Sequence, residues 1–262
     1  ASPGTLSDSQ NQEVAGVRHS EPGFEEDAQG GGSPVVPFNS DELEGSVMEG
    51  GADESSRPFL RSGILSIEAS PIPLSMNLDK MLNTPEQIND IQLKGCQVSD
   101  LELQSLLKAM RQRGVQGLTL ARCSITDAQA AELARFVQER DKTARPLQQL
   151  GLDGNEGVTD KAATALSVAL RANSTLTELS LWGSSIGDAG ATALAKALRS
   201  NRTLKQLWLG ECEAVTDRGA AAFKDALTAG GNTALQQLGL VCSGVSDGVQ
   251  SELEDLVQSQ RR

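Results

Sequence analysis

Residues 176–201, LTELSLWGSSIGDAGATALAKALRSN, hold the pattern that decides the fold of this chain. A leucine triplet of the form L-x-x-L-x-L opens the segment, and alternating leucines are typical of a short strand with one buried face. An alanine-rich stretch closes it, with Leu194 and Leu198 four residues apart, as in a helix with one buried stripe. The segment therefore predicts one strand, a tight turn and one helix.

The same pattern recurs along the chain. Copies begin at Ile88, Val115, Leu147, Leu176, Leu204 and Leu235, at intervals of 27, 32, 29, 28 and 31 residues. One strand–helix unit cannot bury its own apolar face, so successive units must stack. The predicted fold is an α/β solenoid of about six repeats, with a parallel inner sheet and outer helices.

Charge separates an N-terminal tail from the repeats. Residues 1–60 carry twelve acidic and two basic residues, a net charge of −10, and few large apolar groups. Such a segment cannot offset its chain entropy, so we expect it to be disordered alone and ordered only against partners. Residues 61–87 are predicted to be an extended lead-in that caps the sheet edge, or alternatively a docking segment for a partner. Residues 88–262 form the predicted repeat domain.

Composition limits the classes of partner. Residues 61–262 carry 23 acidic and 21 basic residues without a concentrated basic surface, which argues against nucleic acid. No apolar run reaches about 20 residues, so membrane insertion is not expected. The chain begins Ala-Ser-Pro-Gly without methionine. We therefore expect an intracellular protein, organellar (plastid or mitochondrion) if a targeting peptide was removed; simple trimming of the sequence is the alternative.

The sequence DAGATALAKAL at residues 188–198 resembles the repeat motif of the ribonuclease-inhibitor-type leucine-rich repeat family. The resemblance covers roughly residues 88–250. It implies a curved horseshoe that binds proteins, with catalytic activity being rare.

The cysteines are interpreted through this resemblance. All four are assigned to the position that Asn155 and Ser184 hold in other repeats: Cys96, Cys123, Cys212 and Cys242. In leucine-rich repeats that side chain enters the turn and bonds to backbone groups, so structural thiols are predicted. No C-x-x-C spacing supports zinc. Oxidation of neighbouring pairs is the alternative.

Polar residues mark the ends of the predicted helices. Aspartates stand at six helix starts, where a carboxylate accepts a backbone N–H and complements the helix dipole: Asp100, Asp127, Asp160, Asp188, Asp217 and Asp247. Asn173 and Asn201 follow two helices, where left-handed backbone geometry is predicted.

Nothing in the repeats suggests catalysis. His19 is the only histidine and lies in the tail, and the glycines form no phosphate-cradling motif. No enzyme, cofactor or metal site is therefore expected. The repeats also resemble those of the Ran GTPase-activating proteins, for which Arg122 is the only residue considered, although a surface arginine is the simpler interpretation.

The predicted concave face of the sheet is the candidate binding site. Residues between the leucines of successive strands share this face, and both tryptophans lie on it next to small residues. Tryptophan is enriched at binding hot spots. The alternative is that both rings only cover the sheet. The candidate residues are Trp182, Trp208, Glu178, Ser180, Gln206, Asp153 and Gln237.

These observations predict a non-enzymatic protein–protein interaction module, most simply a scaffold or accessory subunit of a larger assembly. Its protein partners are expected at the concave face and the acidic tail. The alternatives are a regulatory binder of one target, inhibitor-like or actin-capping-like, and a GTPase-activating protein. Actin capping of the tropomodulin kind uses amphipathic helices that residues 1–60 lack.

Overall fold

The computed structural model describes residues 59–61, 63–68, 85–228, 232 and 234–259. Most of the predicted tail and much of the lead-in, including Ile72 and Leu74, lie outside the described residues. The expectation of a disordered tail also lies outside them.

The described residues alternate strands and helices in chain order. The strands are β1 (Phe59–Arg61), β2 (Ile64–Glu68), β3 (Asp90–Lys94), β4 (Gly117–Ala121), β5 (Gln149–Gly151), β6 (Glu178–Ser180), β7 (Gln206–Trp208) and β8 (Gln237–Gly239). The helices are α1 (Asp100–Arg113), α2 (Asp127–Arg140), α3 (Asp160–Ala172), α4 (Asp188–Leu198), α5 (Asp217–Thr228) and α6 (Asp247–Ser259).

All eight described strands form one sheet in sequence order. Strands β2 to β8 are parallel, and β1 pairs antiparallel with β2. Equivalent leucines face each other across the strands, as Leu179 and Leu207 do. The predicted leucine-rich repeat solenoid is confirmed, with six strand–helix repeats in the described residues and one added parallel strand, β2.

Strand β2 extends the sheet at its N-terminal end. Leu65 and Ile67 stand opposite Ile91 and Leu93 of β3, and all four side chains are buried. Gly63 turns the chain between β1 and β2 with a φ of +80°, and its carbonyl accepts hydrogen bonds from the backbone of Asn89 and Asp90. Part of the lead-in therefore packs as a strand on the first repeat.

The core runs between the sheet and the helices. The strand leucines and the apolar stripe of each helix point into it, as Leu179, Leu181, Leu194 and Leu198 do without exposure to solvent. Burial of each such side chain contributes about 1.5–3 kcal/mol. Because no unit closes this core alone, the stability of each repeat depends on its neighbours.

The six aspartates are indeed the first helical residues, but their partners differ from the prediction. The carboxylate of Asp160 accepts hydrogen bonds from the backbone N–H groups of Gly187 and Gly190, which open the following helix. Asp127, Asp188 and Asp217 reach the next repeat in the same way. Helices α1 to α3 take side-chain caps of their own from Ser99, Thr126 and Thr159. These four aspartates therefore link neighbouring repeats.

The prediction of left-handed geometry for Asn173 and Asn201 was wrong. Asn173 is extended, with φ −88° and ψ 138°, and Asn201 has no positive φ. Both side chains are buried, and Asn201 donates to the carbonyls of Leu170 and Asn173 in the preceding repeat. Asn232 continues this ladder by donating to Leu198 and Asn201. An asparagine satisfies buried backbone groups of two repeats at once, which explains its use here.

Three of the four cysteines occupy the predicted ladder position. Cys96, Cys123 and Cys212 are buried free thiols whose sulfurs contact backbone carbonyls of the same or the preceding repeat. The assignment of Cys242 was wrong by one residue. Ser243 holds the equivalent position, since its hydroxyl donates to the Leu240 carbonyl as Ser184 does to Leu181. Cys242 is exposed instead, with a φ of +56°.

Candidate binding site on the leucine-free sheet face

The strand registers align the predicted site residues. Glu178 stands between Gln149 and Gln206 across β5 to β7, and Gln206 stands opposite Gln237 of β8. Ser180 stands opposite Trp208. Because side chains alternate along a strand, these residues lie opposite the buried leucines. We call this surface, which the sequence predicts to be concave, the leucine-free face.

Each tryptophan ring lies on a glycine of the next repeat. A Cβ atom added to Gly210 would stand 2.5 Å from Cη2 of Trp182, and one added to Gly239 would stand 2.8 Å from Cζ3 of Trp208. Any residue other than glycine at positions 210 and 239 would therefore place its side chain in the space that the two rings occupy. They cover the sheet, as the alternative interpretation expected, but both residues also remain partly exposed.

Both indole N–H groups are buried. Neither Trp182 Nε1 nor Trp208 Nε1 has a hydrogen-bond partner of normal geometry among the described residues. A buried donor without a partner costs about 1–3 kcal/mol.

A buried carboxyl group, Glu178, and a half-buried one, Asp153, lie beside the tryptophans. Asp153 accepts a hydrogen bond from the hydroxyl of Ser180, and its carboxylate folds back over Gly151, the register partner of Ser180. Glu178 stands two residues before Ser180 on β6, and only 6% of its surface is exposed.

Burial changes the acidity of both groups. Burial and, to a smaller extent, the nearby charge of Asp153 raise the pKa of Glu178 to about 7, while the side chain of Trp208 acts in the opposite direction. Burial also raises the pKa of Asp153, although the Ser180 hydroxyl and the backbone N–H groups of Asp153 and Trp182 favour its charged form. The two acids and Trp208 therefore influence each other electrostatically.

The seven predicted residues are not equally close to this centre. The structure brings together Asp153, Glu178, Ser180, Trp182 and Trp208, which we call the Trp–carboxylate cluster. Gln206 is partly exposed beside Glu178, and Gln237 is exposed one strand further on. The glutamines therefore border the cluster.

Two features of this surface were not among the predicted site residues. Val241, two residues after β8, is 46% exposed, and its repeat position matches that of Trp182. Arg122, Glu211 and Cys242 form a row of left-handed residues, two positions after the last leucine of their strands. Glycine at the same position in other repeats, as at Gly154 and Gly183, was the available signal for this row.

The described residues show neither a metal-binding group nor a membrane-crossing helix. No cluster of three or more His, Cys, Asp or Glu side chains in the described part of the chain could hold a metal ion. No helix within those same residues is both long enough and apolar enough to cross a bilayer.

Comparison with known proteins identifies the repeat unit. The family model described as "Leucine Rich repeat" matches residues 172–195 and 200–224. No curated protein matches the chain. Among solved structures, "Leiomodin-1 Actin-Binding Site 2 (ABS2)" matches with 18% sequence identity and a TM-score of 0.43, over 74% of this chain and 94% of that chain. Residues 172–195 and 200–224 are therefore leucine-rich repeats.

Proposed function

We propose that this chain is a non-enzymatic protein–protein interaction module that serves as a scaffold or accessory subunit of a larger assembly. We also propose that its repeats belong to the ribonuclease-inhibitor-type subfamily. Its main support is the Trp–carboxylate cluster, where two partly exposed tryptophans, the buried Glu178 and the half-buried Asp153 share one sheet face.

The sheet makes this surface rigid before a partner arrives. Strands β6 and β7 are each paired with a neighbouring strand on both sides. Gly210 and Gly239 carry no side chains, so the two rings lie directly on the backbone of the next repeat. A side chain that is already ordered loses little entropy on binding. Large rigid aromatic groups of this kind are the usual centres of binding energy at protein interfaces.

The surface also offers both kinds of contact that an interface core needs. The rings and Val241 supply apolar area, while Glu178, Gln206 and Gln237 supply polar groups. Interfaces commonly combine an apolar centre with a polar rim. The acidic tail, with its net charge of −10, provides the second contact of the proposed scaffold.

The test is a native pull-down with quantitative mass spectrometry, using the full chain and the double variant Trp182→Ala/Trp208→Ala. Neither ring occupies a leucine position, so the fold should survive, which circular dichroism would check. A hot-spot residue typically contributes about 2 kcal/mol or more, so partners of this face should bind roughly thirtyfold more weakly.

A matched control removes apolar side chains from the helices. Leu101 and Val168 are exposed by 77% and 47%, and Leu101→Ala/Val168→Ala should leave partner recovery unchanged. Equal recovery of every partner by the wild type and the double tryptophan variant would contradict the proposal for this face. Partners that survive the tryptophan changes but are lost on deletion of residues 1–58 would belong to the tail.

A further inference from the structure

The Trp–carboxylate cluster is connected through Ser180. The Ser180 hydroxyl bonds to Asp153, and the residue itself stands opposite Trp208 in the sheet. The backbone carbonyl of Trp182 accepts a hydrogen bond from Gly154, directly after Asp153. Two acids from adjacent repeats and two aromatic rings therefore lie in one neighbourhood.

The negative charge of this neighbourhood is not balanced by an ion pair. Three ion pairs between described residues, Lys94–Glu68, Arg111–Glu139 and Lys224–Glu252, lie elsewhere. No described lysine or arginine pairs with Asp153 or Glu178. Burying a carboxylate without a counter-charge is costly, and an opposite charge supplied from outside would relieve that cost.

Two more charged side chains border the cluster. The side chain of Arg122 leans over Gly154, with its Nε 3.5 Å from the position of an added Cβ atom. A Glu211 carboxylate oxygen lies at the same distance from the Cβ position of Gly183. The remaining neighbours, Gln206 and Gln237, are neutral. Acidic groups therefore outnumber basic groups around the tryptophans.

We propose that the leucine-free face binds a partner through a lysine or arginine side chain seated on the Trp–carboxylate cluster. This inference rests on the proposed function and names the chemistry of the partner. A cation is attracted both to the carboxylates and to the faces of the indole rings. Arginine fits best, because its planar guanidinium stacks on aromatic rings while it donates to carboxylates.

Charge argues against other occupants. An acidic segment would be repelled by Asp153, Glu178 and Glu211, which applies to the tail with its net charge of −10. A purely apolar segment would bury the carboxyls more deeply without a counter-charge, which raises the cost of binding. A basic segment alone lowers that cost.

The cation should bind more weakly at acidic pH. Glu178, with a pKa near 7, is mostly charged at pH 8 and mostly protonated at pH 6. A cation favours the charged form, so binding must release the proton that Glu178 holds at pH 6. Affinity should therefore fall about tenfold from pH 8 to pH 6. The other charged groups in or beside the cluster are Asp153, Arg122 and Glu211.

Tryptophan fluorescence tests the inference directly. The protein has two tryptophans and no tyrosine, so its intrinsic emission reports on this site alone. The full chain is titrated with three acetylated hexapeptides in which glycine alternates with arginine, glutamine or glutamate. The arginine peptide should give a saturable change, and the other two should not.

Charge-matched variants separate the cluster from general acidity. Glu178→Gln should weaken the arginine peptide about tenfold or more and remove most of its pH dependence. Glu213→Gln removes an exposed acid away from the cluster and should bind as the wild type does. Asp153→Asn should also weaken binding, and circular dichroism would verify that each variant is folded.

Two results would overturn the inference: no saturable change with the arginine peptide, or equal affinity for the wild type and Glu178→Gln. Neither outcome would disprove the proposed function, which depends on the pull-down with Trp182→Ala/Trp208→Ala. Loss of partners in that experiment together with failure of the arginine peptide would show that the face binds a partner of different chemistry.

Discussion

Asp188 caps the helix of the following repeat through Thr216. One carboxylate oxygen of Asp188 accepts a hydrogen bond from the Thr216 backbone N–H at 2.8 Å, and the other accepts one from the Thr216 hydroxyl at 2.9 Å. The backbone N–H of Gly219 donates to the same carboxylate at 2.9 Å. One side chain therefore satisfies the start of a helix that lies one repeat further along the chain.

We predict that Asp188→Ala lowers the free energy of unfolding by about 1–2 kcal/mol, because the start of α5 loses its acceptor. Urea unfolding followed by circular dichroism would measure the loss. Asp225→Ala removes an exposed acid in the middle of α5 and serves as the control. Equal stability of the two variants would show that the link between repeats contributes little.

The same link should make the protein sensitive to acid. Hydrogen bonds, first of all from the Thr216 backbone, lower the pKa of Asp188. Its stabilising contribution is therefore fully present above the unfolded pKa of about 3.9 and is lost as the pH falls through the lower folded value. The difference in stability between the wild type and Asp188→Ala should shrink below about pH 4. A difference that stays constant down to pH 2 would contradict this account.

Glu178 should have the opposite effect on stability. Its pKa is raised to about 7 by burial, so the folded protein holds a proton that the unfolded chain releases above about pH 4.5. Wild-type stability should therefore fall relative to Glu178→Gln as the pH rises from 5 to 8, by on the order of 1 kcal/mol. Thermal melts at these pH values would measure it, with Glu213→Gln as the control.

We predict that Asn201→Ala lowers the free energy of unfolding by about 2–4 kcal/mol. The buried amide donates to Leu170 and Asn173 and accepts from the backbone of Thr203 and Leu204, and truncation leaves these groups without partners. Chemical unfolding of this variant and of Ser200→Ala, at the exposed neighbouring residue, would measure the effect. A loss below 1 kcal/mol would mean that water replaces the amide.

The cysteines should divide into one reactive and three protected thiols. Burial raises the pKa of Cys96, Cys123 and Cys212, for Cys123 to about 12, whereas Cys242 is exposed. Titration of the folded protein with Ellman's reagent should therefore release one equivalent quickly and three more only after unfolding. Cys242→Ser should abolish the fast phase. Rapid reaction of two or more thiols would contradict the ladder assignment.

Much of the candidate binding surface could be predicted from the repeat pattern alone. Equivalent positions of stacked repeats share one face, so the spacing placed Trp182, Trp208 and Glu178 together. The electrostatic effect of Asp153 on Glu178 could not be predicted, because it depends on how the Asp153 side chain folds across Gly151. Cys242 was misplaced because one residue more or less in a turn leaves the composition of the repeat almost unchanged.

The sequence by itself determined the strands, the helices, their first residues and the side of the sheet that each side chain occupies. These features follow from periods of two and about 3.6 residues, which operate within a single repeat. Only the tertiary structure decided the contacts between repeats: Asp188 with Thr216, Asn201 with Leu170, and Trp208 with Gly239. The hydrogen-bonded partners Asp188 and Thr216 lie 28 residues apart, and Asn201 and Leu170 lie 31 apart. Which residues of neighbouring repeats meet depends on how the repeats stack, and the spacing of residues within one repeat does not specify this.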